Sequence, residues 1–299
     1  MSVPLRAPLT EILHHLRGEP SRTWSVIVTV YGDAIVPRGG SVWLGTLVSF
    51  FAALDIGDGV VRTAMSRLAA DGWLERTRIG RNSFYHLTEK GRTTFRQATE
   101  HIYVAQAQPW NGRFELLLLG SAREREGARS ALATAGFGAA APGLWVAPAG
   151  TAIPSPAAAT ALHLDAGCDL ETARTLAQRC WPLEQTARAY ARFSSVFEPL
   201  AAALDAKDPI SELDAFVARI LLVHEYRRII LRDPILPTEL LPAGWPGADA
   251  RALCARLYHR LLPVSERWLD DHGQTESGKL PPPGPELFAR FRSDVRGPA

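Results

Sequence analysis

The stretch from Asp58 to Leu87 constrains the fold more than any other part of the sequence. Val61, Ala64, Met65 and Leu68 recur at helical spacing, so one face of this segment is apolar. Asp55-Ile56-Gly57 makes a tight turn before it, Asp58 is expected to cap it, and Gly72 to end it after about Asp71. Trp73–Thr77 and Ser83–Leu87 then read as two strands around a polar tip, Arg78-Ile79-Gly80-Arg81-Asn82. A helix that leads directly into a short hairpin leaves few architectures open.

The flanking segments narrow the choice. Trp24–Tyr31 is an apolar helix expected to end near Gly32. Pro37, Gly39 and Gly40 break the chain, and Ser41 is expected to cap a second helix through Leu54. Thr88-Glu89-Lys90-Gly91 opens another helix reaching about Gln106. Helix, helix, turn, helix, hairpin is the order of a winged helix-turn-helix, here over residues 22–106. Residues before Arg22 read as a partly ordered arm.

Arg62, Thr63, Ser66 and Arg67 fall on the polar face of the third helix. Solvation alone explains a polar face, but this one has no acid and is followed by Arg76, Arg78, Arg81 and Asn82 on the wing. Guanidinium groups pair bidentately with guanine edges or clamp phosphates. The charge distribution agrees. The formal net charge is only +2, yet Arg62 to Arg96 holds eight cations against three acids, and residues 101–299 carry a net −1. A basic stretch on a near-neutral chain points to a polyanion, here double-stranded DNA.

Other classes find no support. The longest apolar runs fall short of the roughly 20 residues of a membrane span. No apolar signal core is visible near the N-terminus, and three cysteines are too few for a disulfide framework, so a cytoplasmic setting is expected. His224-Glu225 is not a zinc motif, because Arg228 stands where the second histidine belongs. Gly136 and Gly138 do not sit between a strand and a helix as a dinucleotide site requires. No catalytic set, metal site or cofactor motif is expected.

Gln108-Pro109-Trp110-Asn111-Gly112 reads as a domain-boundary signal. Phe114–Leu119, Leu144–Ala147 and Ala161–Asp165 read as strands, Ala122–Ala135 and Cys168–Arg179 as helices, and Pro148–Ala159 as a loop. This β-α-β-loop-β-α order suits a small ferredoxin-like α+β domain over 107–180, with its last strand not evident. A helical domain is expected over 181–272, with helices at Leu183–Asp205, Ser211–Leu231, Ala248–Leu262 and Val264–Asp271. A Pro-rich connector spans Asp233 to Gly247, and 273–299 reads as a loose tail.

The helix after Ser211 is apolar nearly all round, which marks it as buried. It nevertheless carries His224, Arg227 and Arg228. Enclosed arginines need partners. Glu198, Glu225, Asp233 and a ligand carboxylate or phosphate are the alternatives.

Three stretches together resemble the PaaX family of transcriptional regulators of phenylacetic acid catabolism. The first is Val61 to Leu68 with Gly72-Trp73-Leu74 and Tyr85-His86-Leu87-Thr88; the second is Trp110-Asn111-Gly112, Gly136-Phe137-Gly138 and Leu144-Trp145-Val146. The third, and most specific, is His224-Glu225-Tyr226-Arg227-Arg228-Ile229, Leu231-Arg232-Asp233-Pro234, Leu236-Pro237 and Leu241-Pro242 through Trp245-Pro246-Gly247. The resemblance implies a homodimeric repressor that binds operator DNA and is released by phenylacetyl-CoA, with a Cas2-like middle domain. That domain's first strand ends Leu118-Leu119-Gly120-Ser121 with no aspartate, which lends no support to nuclease activity. An aryl-CoA effector joins an apolar ring to phosphates. Trp181, Tyr190, Phe193 and Phe197 are candidates for the ring, and His224, Arg227, Arg228 and Arg232 for the anion. Two other readings compete: an enzyme acting on a CoA or nucleotide substrate with an accessory winged helix, and an RNA-binding protein.

Overall fold

Helices and small antiparallel sheets alternate along the chain, an α+β arrangement, in a computed structural model that describes residues 8–12, 23–104, 107–206 and 209–292. The elements are α1 (Thr23–Val30), β1 (Ser41–Trp43), α2 (Leu44–Ala52), α3 (Asp58–Ala70), β2 (Leu74–Ile79), β3 (Asn82–Leu87) and α4 (Glu89–Thr99). There follow β4 (Arg113–Leu118), α5 (Ala122–Thr134), β5 (Gly138–Ala141), β6 (Leu144–Pro148), α6 (Ser155–Ala158), β7 (Leu162–Gly167) and α7 (Leu170–Cys180). The remainder is α8 (Leu183–Asp205), α9 (Glu212–Ile230), α10 (Gly247–His272), β8 (Gln274–Thr275), β9 (Gly278–Lys279) and α11 (Pro285–Ala289).

Two units emerge, and they are interleaved in sequence. One comprises Met1–Val104, Arg192–Arg228 and Ala248–Ala299, and the other Ala105–Ala191 and Ile229–Gly247. The boundaries expected near 106 and 180 describe the chain in order. The packing instead groups α1–α4 with most of α9 and α10.

In the first unit β1, β3 and β2 form a three-stranded antiparallel sheet in that order. α3 buries Val61, Ala64, Met65 and Leu68, the face the spacing predicts. Thr88 caps α4 by accepting from the Gly91 N–H, and its hydroxyl donates to the Gly72 carbonyl at 2.7 Å. A Cβ at Gly91 would lie 2.4 Å from the Trp73 carbonyl oxygen, so only glycine lets α4 pack this closely on the start of the hairpin.

Several expectations are corrected here. Gly32 does not end the first helix, which continues as a π-helical turn (Tyr31–Ile35) and a 3-10 turn (Val36–Arg38). Ser41 caps no helix; it opposes His86 as the first residue of β1. Gly57 is the cap residue of α3, and Asp58 is its first helical residue. The hairpin strands run longer than expected, leaving Gly80-Arg81 as the tip. Pro263 does not divide α10, which runs unbroken over 26 residues. The loose tail is ordered from 273 to 292: β8 and β9 pair, and Leu280, Leu287, Arg290 and Phe291 are buried. Within the predicted arm, residues 8–12 are helical and Leu9 and Ile12 are buried; 1–7 and 13–22 lie outside the described residues.

In the second unit the sheet order is β5-β6-β4-β7, antiparallel throughout. The unread strand is not, as expected, the last one: α7 runs directly into α8, and the strand the sequence reading lacks is β5, between α5 and β6, whose Gly-Ala-Ala-Ala gives no alternation to detect. The loop expected over Pro148–Ala159 contains the short helix α6. Two apolar clusters fill the unit. One joins Phe114, Val146, Ala177, Trp181 and Leu236, and the other joins Leu117, Leu132, Phe137 and Trp145.

Candidate nucleic-acid interface and buried ionic cluster

Arg62, Thr63, Ser66 and Arg67 are all exposed on α3, opposite its buried stripe. Arg62 Nε lies 2.8 Å from Asp58 Oδ1 and Arg67 Nε 3.9 Å from Asp71 Oδ2. Exposed pairs of this type contribute only about 0.3–0.5 kcal/mol, so both guanidiniums remain available to an incoming polyanion. The Thr63 hydroxyl donates to the Gly59 carbonyl at 2.8 Å. On the hairpin Arg76, Arg78, Arg81 and Asn82 are exposed, and Arg78 Nε donates to the Gly80 carbonyl at 3.2 Å. Arg76 and Arg78 stand two residues apart on β2 and therefore share one sheet face.

The same unit contains an ionic cluster that the sequence reading missed. Asp33, at 1% exposure, sits in the π-helical turn after α1. Its Oδ2 accepts from Arg219 Nε at 2.7 Å, and its Oδ1 from Tyr103 Oη (2.7 Å), Tyr258 Oη (3.0 Å) and Arg290 NH1 (2.9 Å). Arg219 also donates to Glu266 Oε1 and to Ser265 Oγ. Glu266 Oε2 accepts from Arg38 NH2 at 2.6 Å, and Arg38 reaches Asp270 Oδ1 at 2.8 Å. Burial works against the charge of Arg219 and Arg290, but the facing acidic and phenolic groups outweigh it and both pKa values are raised. Burial first, then Asp33, pushes the Tyr258 phenol up to about 12. The detectable signal was a lone Asp or Arg inside an apolar helical run, Val26–Ile35 for Asp33 and Ala215–Val223 for Arg219.

The predicted effector residues fall into two groups. Phe193, Phe197, His224, Arg227 and Arg228 belong to the first unit, and Trp181, Tyr190 and Arg232 to the second. Phe193 and Phe197 are buried with ring centroids 4.9 Å apart. Trp181 fills a core cluster, and its Nε1 donates to the Gly136 carbonyl at 3.0 Å. Tyr190 Oη donates to buried Asp233 at 2.7 Å, and Arg232 is exposed. Of the sequence-level partner candidates, Glu225 takes Arg228, at 3.1 Å. Arg227 instead donates to Ser25 Oγ at 3.0 Å, and its Nε is buried with no partner among the described residues. Burial lowers the Arg227 pKa to about 10, with Tyr103 opposing and Arg228 adding to the fall.

His224 is fully buried, with Nδ1 3.0 Å from Thr29 Oγ1. Burial, then Arg227 and Arg228, lowers its pKa to about 3. Below pH 6.5 the unfolded chain therefore takes up a proton that the folded chain refuses until near pH 3. Stability is lost as pH falls through this window, by about 1.4 kcal/mol per unit. Urea melts at pH 7 and pH 5 are expected to show about 2 kcal/mol more loss for the natural chain than for His224→Gln. Equal losses would remove His224 as the cause.

Among the described residues no group of three or more His, Cys, Asp or Glu is arranged to hold a metal ion. Among the same residues, no helix is long and apolar enough to cross a membrane.

Comparison with known proteins adds three findings. The profile of the family described as PaaX-like protein matches residues 22–91, and that of the PaaX-like protein C-terminal domain matches residues 181–271. The chain is 37% identical to the transcriptional repressor PaaX of Escherichia coli (strain K12) over 300 residues, covering 94% of each. Among solved structures it is similar to the uncharacterized protein Rv0674 from Mycobacterium tuberculosis, with 25% identity and a TM-score of 0.53, covering 89% of this chain and 99% of that one.

Proposed function

The chain belongs to the PaaX family, and from that membership we propose that it is a DNA-binding transcriptional repressor of phenylacetate catabolism genes, released by an aryl-CoA effector. The observation that carries the reading is the exposed outer face of α3, where Arg62 and Arg67 have only weak solvent-exposed pairing with Asp58 and Asp71, followed at once by a hairpin with three exposed arginines. The order of α1 to β3 supports a winged helix-turn-helix, with α3 as recognition helix and β2–β3 as wing. Arg62, Thr63, Ser66 and Arg67 would read base edges, while Arg76, Arg78, Arg81 and Asn82 would meet phosphates or the minor groove. The β-α-β-β-α-β order and the β5-β6-β4-β7 sheet support a ferredoxin-like middle domain. The reading is of a regulator and not of an enzyme, working in the cytoplasm.

A homodimer follows from the same reading, because two recognition helices related by a two-fold axis read two half-sites. Repression ends only if the effector binds the non-DNA conformation more tightly. Arg227 is the cation proposed for the effector's phosphates, because its guanidinium meets a hydroxyl rather than a carboxylate. Ser25 and Thr29, the partners of Arg227 and His224, lie on α1, and α1 packs against α3. An anion drawing Arg227 away from Ser25 would therefore be felt one helix from the DNA.

The test is a gel shift with operator DNA titrated with phenylacetyl-CoA. The natural chain is expected to bind and be released. Arg227→Ala is expected to bind DNA comparably but to need about tenfold or more effector, the loss of one charged hydrogen bond. Unchanged release would remove Arg227 from the effector site, and failure to bind duplex DNA would overturn the whole reading.

A further inference from the structure

Two adjacent residues in the first turn of α3 are not accounted for by the packing of the chain itself. The first is Gly59. It is helical, and glycine there is destabilising relative to alanine because it gives up more backbone freedom on folding. Its φ lies outside the left-handed region, and a Cβ at this position would meet nothing within 4 Å among the described residues. The fold therefore does not call for glycine here. Gly72, just past the other end of the helix, has φ 74° and does require it.

The second is Val60, a β-branched apolar side chain left 52% exposed. Val61, Ala64, Met65 and Leu68 complete the buried stripe without it. Gly59 is four residues from Thr63 and seven from Ser66, so it lies on the line of α3 that points directly away from that stripe. Val60 is seven residues, nearly two full turns, from Arg67 and shares its side of the helix. Both thus stand on the exposed surface proposed to read DNA, and the present inference rests on that reading.

We propose that α3 meets the floor of the major groove at Gly59, and that Val60 packs on the 5-methyl group of a thymine. A missing Cβ lets another molecule come closer to the helix backbone than any other residue would allow. The N-terminal residues of a recognition helix are the ones that contact base edges. Thymine's methyl is the apolar group those edges offer in the major groove, and covering it with an exposed valine removes both from water. Val60 thereby selects thymine, a base that the guanidiniums of Arg62 and Arg67 do not distinguish by charge.

The test uses the full chain and a duplex that it enriches from a random-sequence pool, with binding read by fluorescence anisotropy. Gly59→Ala is expected to melt about 1–3 °C above the natural chain yet to bind this duplex about tenfold more weakly. A glycine needed by the fold would lose stability instead. Gly127→Ala, at an equally open helical position of α5, should gain stability similarly and leave binding unchanged. Thymines are then replaced one at a time by uracil, which removes only the methyl. At one position or more the natural chain should lose about fourfold, the worth of one buried methyl, and Val60→Ala should lose nothing further there. The proposal is overturned if Gly59→Ala binds as the natural chain does, or if uracil at every position costs Val60→Ala as much as it costs the natural chain. Either result leaves the reading of α3 standing when Arg62→Ala/Arg67→Ala loses the duplex. If no duplex is enriched, or if that double variant binds unchanged, the reading itself fails and the inference with it.

Discussion

Asp33→Ala is expected to destabilise the protein by about 3–5 kcal/mol in urea unfolding, the range for breaking a buried ion pair by removing one partner. The carboxylate is shared by two arginines and two tyrosines. Without it Arg219 keeps Glu266 and Ser265, but its Nε loses its acceptor in a dry interior. Arg290 keeps neutral partners: the carbonyls of Asp33 and Gly32 and the Tyr258 hydroxyl. Buried cations without full compensation are far more costly than the removed hydrogen bonds themselves. Asp33→Asn preserves an oxygen acceptor and is expected to fall between. The control is the exposed pair Arg92–Glu89, where Glu89→Ala should change stability by less than about 0.5 kcal/mol. A loss at Asp33 no larger than at Glu89 would show that the cluster does not hold the unit together.

The double variant Arg62→Ala/Arg67→Ala is expected to weaken operator binding by about 2–6 kcal/mol, at roughly 1–3 kcal/mol for each base contact. The two residues share no partner, so their effects should be nearly additive. Folding stability should barely change, because both side chains are exposed and weakly paired. The hairpin gives a different signature. Replacing Arg76, Arg78 and Arg81 by alanine should weaken binding to all duplexes alike and lower the salt slope by about 0.9 for each phosphate no longer neutralised. Fluorescence anisotropy against specific and random duplexes over a salt series separates the two. A double variant that still discriminates operator from random DNA would displace α3 as the reading helix.

The parts of this fold governed by local pattern are legible in the sequence. The apolar stripe of α3 sets its orientation, and its exposed arginines follow from the same periodicity. Thr88 reads as opening α4, and it is the cap of that helix. Parts governed by distant partners are not legible. Ser41 has a capping side chain, but pairing with β3 makes it a strand residue. Pro263 looks like a break, yet Leu261, Leu262, Ser265 and Trp268 are all buried around it, and that packing outweighs one missing hydrogen bond. β5 is alanine-rich and exists because β6 offers it an edge. At the site, attention to His224, Arg227 and Arg228 finds a buried neutral histidine beside two half-buried arginines, but the main ionic cluster joins residues up to 257 positions apart. No window of sequence shows that Asp33 and Arg290 meet.

That separation also sets a timetable. On a ribosome adding about 5–20 residues per second, Arg290 is made roughly 13–50 s after Asp33. Throughout that interval Asp33 lacks its last partner. A chain interrupted between Glu266 and Arg290 can pair Asp33 with Arg219 but not with Arg290. The segment proposed to read DNA, though translated early, shares its unit with residues made late, so a truncated product should be weakened before it can occupy an operator.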